Sequence, residues 1–573
     1  MNSRRLLFLF LAALTVFRLV YITQFELFPD EAYYLQWSQH LDWSYFSKGP
    51  GIAVAIWLGT HVFGDTVFGI RVLSPLLALG TSLLLYFFTR RLYGNSTAIW
   101  TVLLLNFVPI FQAGALLMTI DPLSIFFWMA ALYTFWLALE KSPTFSGWWP
   151  VTGALIGIGF LAKYTNAMQL LSILLLLVFT RRYRSEFRRP GFYVLLAVFA
   201  VFTAPVIYWN SQHAWITLIH LRARGGLDSE SHFKPFSFFE FWGQQFGVYS
   251  PFIFLAMMLA FVWAWKKSRA HFKPRFLLAF ALPVFAMYVA LAIKRPGEPN
   301  WTAPATLSLG VLTVVFWQEL AQAKKWARSY AVIALAVGGI ESAIALNTDL
   351  LRDAGLPLGN DPSTRARGWQ TTGEKVHEIL KAYVTEHGQP VFLIANKYGT
   401  AASLAFYLPD KEPDPDGYPT IFVPESAWPE NQFYFWPRYD GMIDFTDVAR
   451  EKLRPNSNLD PTVRANLSAA LDALTAKGAN PSDEDRQKFL HALKAAAPEL
   501  GIDEYYTESF GYDPYVGRSA LYITDANESK APDVLDRTFK ETKMITCFDV
   551  LRRGRSIRQI RIFACTGYHL QEL

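Results

Sequence analysis

The sequence predicts a polytopic α-helical membrane protein that carries a C-terminal α/β domain, and three observations predict it. Hydrophobic residues make up 52% of the 573 and charged residues only 17%, below the roughly 25% charged content of a soluble globular protein. Apolar runs near the roughly 20 residues that cross a bilayer recur along the first part of the chain. Charge divides the same way. Residues 1–348 hold 27 Lys and Arg against 14 Asp and Glu, net +13, whereas residues 349–573 hold 26 against 33, net −7. This composition excludes a wholly soluble enzyme and a disordered chain. The basic excess belongs to the membrane part, so the pI near 9.0 does not point to nucleic acid. Two domains are expected, 1–348 in the membrane and 349–573 in water.

Eleven spans are read in the first domain, near 6–24, 71–89, 96–117, 122–139, 149–164, 165–180, 192–209, 246–265, 276–293, 301–320 and 329–347, with 149–180 open to a reading as one span or two. The first is too long for a signal-peptide core and has no small-residue cleavage site after it, so it is expected to be retained. Alternate loops are rich in Lys and Arg: Arg4-Arg5, Arg90-Arg91, Lys141, Arg181–Arg189, Lys266–Arg275 and Lys324–Arg328. Cytoplasmic loops carry this excess. With eleven spans all of them fall on one side, which makes the N-terminus cytoplasmic and the C-terminal domain extracytoplasmic, in a plasma (inner) membrane.

The opposite face holds the loop 25–70, the Met118–Pro122 turn, the Lys163-Tyr164 pair, the 210–245 loop and the Lys294–Trp301 loop. Its charges are few: Asp30, Glu31, Lys48, Arg71, Asp121, Lys163, His220, Arg222, Lys294 and Arg295. Ionisable groups at membrane depth are expensive and usually functional. Asp30 reads either as the N-cap of the helix after Pro29 or as a general base, and Glu31 as a partner of that helix dipole. Asp121 reads as a cap or as a carboxylate that positions a catalytic group or a metal. Lys48, among interfacial aromatics, snorkels or acts as a point-charge phosphate ligand. The separate cations of this face suit an anionic lipid headgroup or a phosphate leaving group.

Asp30-Glu31-Ala32-Tyr33-Tyr34 and Leu41–Pro50 resemble the first outer loop of bacterial GT-C glycosyltransferases, the relatives of protein O-mannosyltransferase and of the lipid A aminoarabinose transferase. Arg71, Asp121-Pro122-Leu123, Leu161-Ala162-Lys163-Tyr164, His220-Leu221-Arg222 and Pro299–Pro304 extend the resemblance over about 1–320, with a weaker continuation at Tyr398–Ala402 and Ala405–Pro409. It implies a multi-span bundle with an outward-facing active site, a polyprenyl-phosphate-linked sugar as donor, and transfer with inversion. It implies Asp30 as base or acceptor-positioning group, Lys48 at the donor phosphate and Asp121 as the second-loop acid. Glu31 is a further catalytic candidate; Arg71, Lys163, His220, Arg222, Lys294 and Arg295 are candidates for the phosphate. The acceptor is expected to be lipid A or another glycolipid, a glycan, or a protein. Where the family often has an acid linked to metal binding before the lysine, this chain has Ser47. A divalent metal would therefore take its ligands from Asp30, Glu31 or Asp121. Gly49 stands where proline is usual and is expected to loosen the turn. A secondary transporter of an anionic lipid or sugar is the competing class, but inverted repeats and broken midplane helices, its usual signs, are not evident.

In 349–573, Val391–Ala395, Thr420–Val423 and Ser519–Thr524 read as strands, and 460–476 and 482–498 as amphipathic helices after capping signals. An α/β domain with a helical insertion is expected, acting as lid or scaffold. Cys547 and Cys565 lie on strand-like runs joined around Arg552-Arg553-Gly554, where a hairpin disulfide and two reduced thiols are both open. No Walker A loop, dinucleotide fingerprint or CxxC motif occurs.

Overall fold

A computed structural model describes residues 3–225, 234–355, 361–410, 421–426, 428–440, 453, 459–475, 482–500, 515 and 517–569. The chain forms two compact units, Met1–Arg367 and Gly368–Leu573, so residues 349–367 go with the helical part.

In the first unit the eleven apolar segments are mostly helical. Among the described residues, seven helices are long and apolar enough to cross a membrane: Val67–Tyr93, Ile120–Lys141, Pro190–Gln212, Pro251–Ser268, Phe272–Ala292, Pro299–Ala323 and Lys325–Leu346; joining the bent pair Tyr164–Phe179 and Arg181–Arg188 makes eight. The chain is a multi-pass membrane protein. The remaining expected spans fall short for local reasons. Ser3–Tyr21 carries Arg4, Arg5 and Arg18. The run 96–117 breaks at Phe107-Val108 into Asn95–Asn106 and Pro109–Gly114. Trp148–Ala162 has 15 residues and Met168–Phe179 has 12. The core is aromatic-rich, with Trp128, Phe135 and Trp149 fully buried beside Phe276 and Phe280.

The outer segments are not simple loops. Residues 25–70 fold into Pro29–Gln39, Gly51–Phe63 and Val67–Arg71, and the 210–245 region holds Ile216–Arg224 and Pro235–Tyr249. Pro29 starts its helix at the first position, after extended Phe28, and Glu31 accepts the Phe28 N–H at 3.0 Å. The capping role expected of Asp30 therefore belongs to Glu31. Likewise Thr119, not Asp121, caps Ile120–Lys141 by accepting the Asp121 N–H.

The second unit has a four-stranded sheet, β1 (Val391–Ala395), β2 (Ser519–Thr524), β3 (Phe539–Arg552) and β4 (Arg555–Tyr568), in the order β1-β2-β4-β3. β1 and β2 are parallel and the other pairs antiparallel. Phe422 makes only an isolated bridge to Ile394, and Thr420 lies outside the described residues. The helices Pro461–Thr475 and Asp483–Leu500 form the expected insertion. The cysteines are free. Cys547 faces Arg561 and Cys565 faces Thr542, which separates them by five positions along the ribbon, roughly 15 Å and too far to bridge.

Candidate active site

The loop after the first helix is built to be rigid. Trp37 and Tyr45 stack at 4.4 Å, with Tyr33 and Tyr34 edge-on to Trp37. The Tyr45 hydroxyl donates to the Trp37 and His40 carbonyls. The Tyr45 N–H and the Ser44 hydroxyl both donate to the Lys48 carbonyl, at 3.0 and 3.2 Å, and close the turn that presents Lys48. Gly49 does not loosen this turn. A Cβ there would sit 2.4 Å from the Leu161 carbonyl oxygen, so glycine permits the loop to press against the end of Trp148–Ala162, just before Lys163. Gly49→Ala is expected to destabilise the protein by about 1–3 kcal/mol, read as a lower apparent Tm in detergent.

The expected site residues separate into two groups. Glu31 and Arg71 belong to each other. The Arg71 guanidinium donates to both Glu31 carboxylate oxygens, at 2.8 and 2.6 Å, and to the carbonyls of Ile22, Phe25 and Glu26. All five of its N–H donors are thereby used. Glu31 also accepts the Met118 N–H at 2.8 Å, and both side chains are 0% exposed. The phosphate role expected of Arg71 and the catalytic role expected of Glu31 are therefore replaced by a structural one. The pair clamps the end of the first helix, the outer loop and the 118 turn together.

In the second group, Asp30 and Asp121 line a cavity of about 280 Å³ together with Phe28, Thr119, Asn300 and Arg365, and with Arg18, Ser82 and Asn106. Asp121 accepts from the Lys163 ammonium at 2.7 Å and from the Asn300 amide at 2.6 Å. Both its oxygens are engaged, so it positions Lys163 and Asn300. Asp30 is half-exposed and meets Arg365 at 3.4 Å. Lys48 is half-buried and, among the described residues, makes no hydrogen bond or ion pair through its ammonium. Burial, then Arg224 and Lys163, push its pKa down to about 8, against the opposing pull of Asp121 and Asp30.

The remaining cations differ from expectation. His220 packs on Phe46 at 4.6 Å, and burial, then Lys48 and Arg224, push its pKa down to about 4. It is thus a neutral ring, not a cation, near neutral pH, with a buried Nε2 that has no hydrogen-bond partner among the described residues. Arg295 donates to the Ala223 and Arg224 carbonyls and so holds a loop. Arg222 is exposed and Lys294 half-buried. The arginine of that helix that acts on Lys48 is Arg224, whose guanidinium lies 5.7 Å from the Trp301 ring. Arg18 and Arg365 line the cavity without a local signal in the sequence. Arg18 sits inside an apolar run, and Arg365 lies in a stretch that reads as part of the second domain.

No group of three or more His, Cys, Asp or Glu among the described residues is arranged to hold a metal. Glu31 is committed to Arg71 and Asp121 to Lys163 and Asn300, so these carboxylates do not fit a divalent cation as placed.

The family of dolichyl-phosphate-mannose-protein mannosyltransferases matches residues 47–209. Lipid A galacturonosyltransferase RgtD of Rhizobium johnstonii is 27% identical over 387 residues, 67% of this chain and 78% of that one. The undecaprenyl phosphate-alpha-4-amino-4-deoxy-L-arabinose arabinosyl transferase 2 of Pseudomonas fluorescens is 29% identical over 328 residues, and the match spans 53% of this chain and 54%, about half, of that enzyme. The crystal structure of ArnT from Cupriavidus metallidurans bound to undecaprenyl phosphate superposes with a TM-score of 0.52 at 17% identity, over 97% of both chains. Its apo form gives 0.51 at 18% identity, over 98% of both. In its membrane helices, its outer-loop motifs and its fold, the chain is similar to the GT-C glycosyltransferases of the protein O-mannosyltransferase and lipid A aminoarabinose transferase type.

Proposed function

We propose that the protein transfers a sugar from a polyprenyl-phosphate donor to a lipid A or related glycolipid acceptor, on the outer face of the plasma membrane. The observation that carries this reading is the Lys48 ammonium, unpaired among the described residues and within electrostatic reach of Asp30 and Asp121. An unpaired cation within electrostatic reach of two carboxylates and of two further cations, Arg224 and Lys163, suits a phosphate whose neighbouring carbon is attacked by a hydroxyl. The acceptor oxygen bonds to the anomeric carbon as the carbon–oxygen bond to phosphate breaks. That electron pair stays on the phosphate, where Lys48 stabilises it. The acceptor proton passes to Asp30. Asp121 holds Asn300 at the cavity wall and pairs with Lys163 beside it. Counted over all eleven apolar segments as crossings, the shorter and broken ones included, the Lys and Arg bias of alternate loops supports a cytoplasmic N-terminus and an extracytoplasmic second unit. The two curated relatives name sugars of opposite charge, a galacturonic acid and an amino-arabinose.

Donor binding tests the reading through its pH dependence. A polyprenyl-phosphate sugar is a phosphodiester with one constant negative charge across pH 6–9. A bound phosphate favours the protonated lysine, so affinity is full below about pH 8 and is lost as pH rises through it, by up to about tenfold per unit. Lys48→Ala should bind weakly with no such bend. A pH-independent Kd in the native protein would remove Lys48 from the phosphate.

A further inference from the structure

We propose that Arg18 selects a sugar bearing a carboxylate, a uronic acid, by receiving that carboxylate in the cavity; this deepens the transferase reading and rests on it. Arg18 lies one turn inside the end of Ser3–Tyr21 and is 2% exposed. Its guanidinium donates to two neutral acceptors, the Asn106 amide oxygen at 2.9 Å and the Gln112 amide oxygen at 2.8 Å. Its Nε is buried with no hydrogen-bond partner, and no carboxylate pairs with it, among the described residues. A buried cation left this way is costly unless a ligand compensates it.

The surroundings point to a ligand. Asn106 ends the helix before the break at Phe107-Val108, and irregular backbone at membrane depth is tolerated where it lines a cavity or is buried in protein. Arg18, Ser82 and Asn106 line the same cavity as Asp30 and Asp121. Its 280 Å³ falls just below the roughly 300–1,000 Å³ of small-molecule sites, which suits one sugar rather than a whole glycolipid. The other cavity charges are matched within the protein, Asp121 by Lys163 and Asp30 by Arg365. Arg18 supplies the uncompensated charge. Its sign attracts a carboxylate and repels an amino sugar.

The test uses the full chain in detergent with three donors, undecaprenyl phosphate linked to galacturonic acid, galactose or 4-amino-4-deoxy-arabinose, and lipid A as acceptor. The native protein should favour the uronyl donor in kcat/KM by at least about tenfold, the size of one charge-assisted hydrogen-bonded pair. Arg18→Gln, which can still hydrogen-bond its amide neighbours, should erase that ratio through the donor KM, and Arg18→Lys should keep part of it. A merely structural Arg18 would lower all three donors alike and leave the ratio intact, which overturns the proposal. So would native preference for the galactose or amino donor. A variant defect confined to the acceptor KM, and absent with dephosphorylated lipid A, would assign Arg18 to an acceptor phosphate and overturn it too. Direct binding separates this from the transferase reading. Tighter binding of uronyl lipid than of undecaprenyl phosphate, lost in Arg18→Gln but without turnover, upholds Arg18 and contradicts transfer; equal binding contradicts Arg18.

Discussion

Asp30→Asn is expected to lower acceptor-dependent transfer by about 100- to 10,000-fold, the range for loss of a positioned proton acceptor, with little change in apparent Tm. The asymmetry follows from where Asp30 stands. It lines the cavity, yet its cation, Arg365, is 59% exposed and 3.4 Å away. Exposed pairs of this kind contribute about 0–1 kcal/mol, so the fold loses little when the charge goes. The amide keeps the shape and most hydrogen bonds but cannot take the acceptor's proton. Transfer rate and thermal unfolding measured on the same preparation check both halves. Activity within a few-fold of native would remove Asp30 from the chemistry.

Arg71→Met should act in the opposite way, by collapsing the fold. The substitution strands the Glu31 carboxylate in a fully buried position and leaves the carbonyls of Ile22, Phe25 and Glu26 without their donor. Breaking a buried ion pair by removing one partner costs about 3–5 kcal/mol. That is a large share of the roughly 5–15 kcal/mol by which a protein is stable. Size-exclusion of detergent extracts should show loss of the folded peak. An apolar double replacement, Arg71→Met with Glu31→Leu, should not restore it, because Glu31 also serves the Phe28 and Met118 amides. If Arg71→Met folds normally and loses only donor affinity, the guanidinium is a phosphate ligand after all.

Much of this architecture was legible in the sequence because the signals are local. The eleven apolar segments are mostly helical, since an apolar run has few alternatives in a bilayer, although 96–117 and 246–265 are broken and seven or eight of the described helices are long enough to cross a membrane. Val391–Ala395 and Ser519–Thr524 are strands with the expected bounds, where buried aliphatic and aromatic residues end at polar ones. The convergence of Asp30, Lys48, Asp121 and Lys163 followed from charges too few on one face to be ordinary loop polarity.

Pairings over long sequence distance were hidden. Nothing near Glu31 shows that its partner lies forty residues on at Arg71, so two residues of one clamp read in the sequence as a catalytic candidate and a phosphate ligand. Arg18 was concealed by its apolar neighbours. Its polar environment exists only where the 96–117 run breaks at Phe107-Val108, and an apolar window cannot register that break. His220 counts as a cation in a list of charges, but burial and Lys48 make it neutral.

Turnover tests the central claim most directly. Purified protein would be given a polyprenyl-phosphate sugar, and release of polyprenyl phosphate followed by mass spectrometry, with and without lipid A, beside Asp30→Asn. The account predicts release that requires both the acceptor and Asp30, with a glycosylated acceptor formed in equal amount. Release independent of Asp30, or movement of the intact donor across a proteoliposome membrane without bond cleavage, would contradict it.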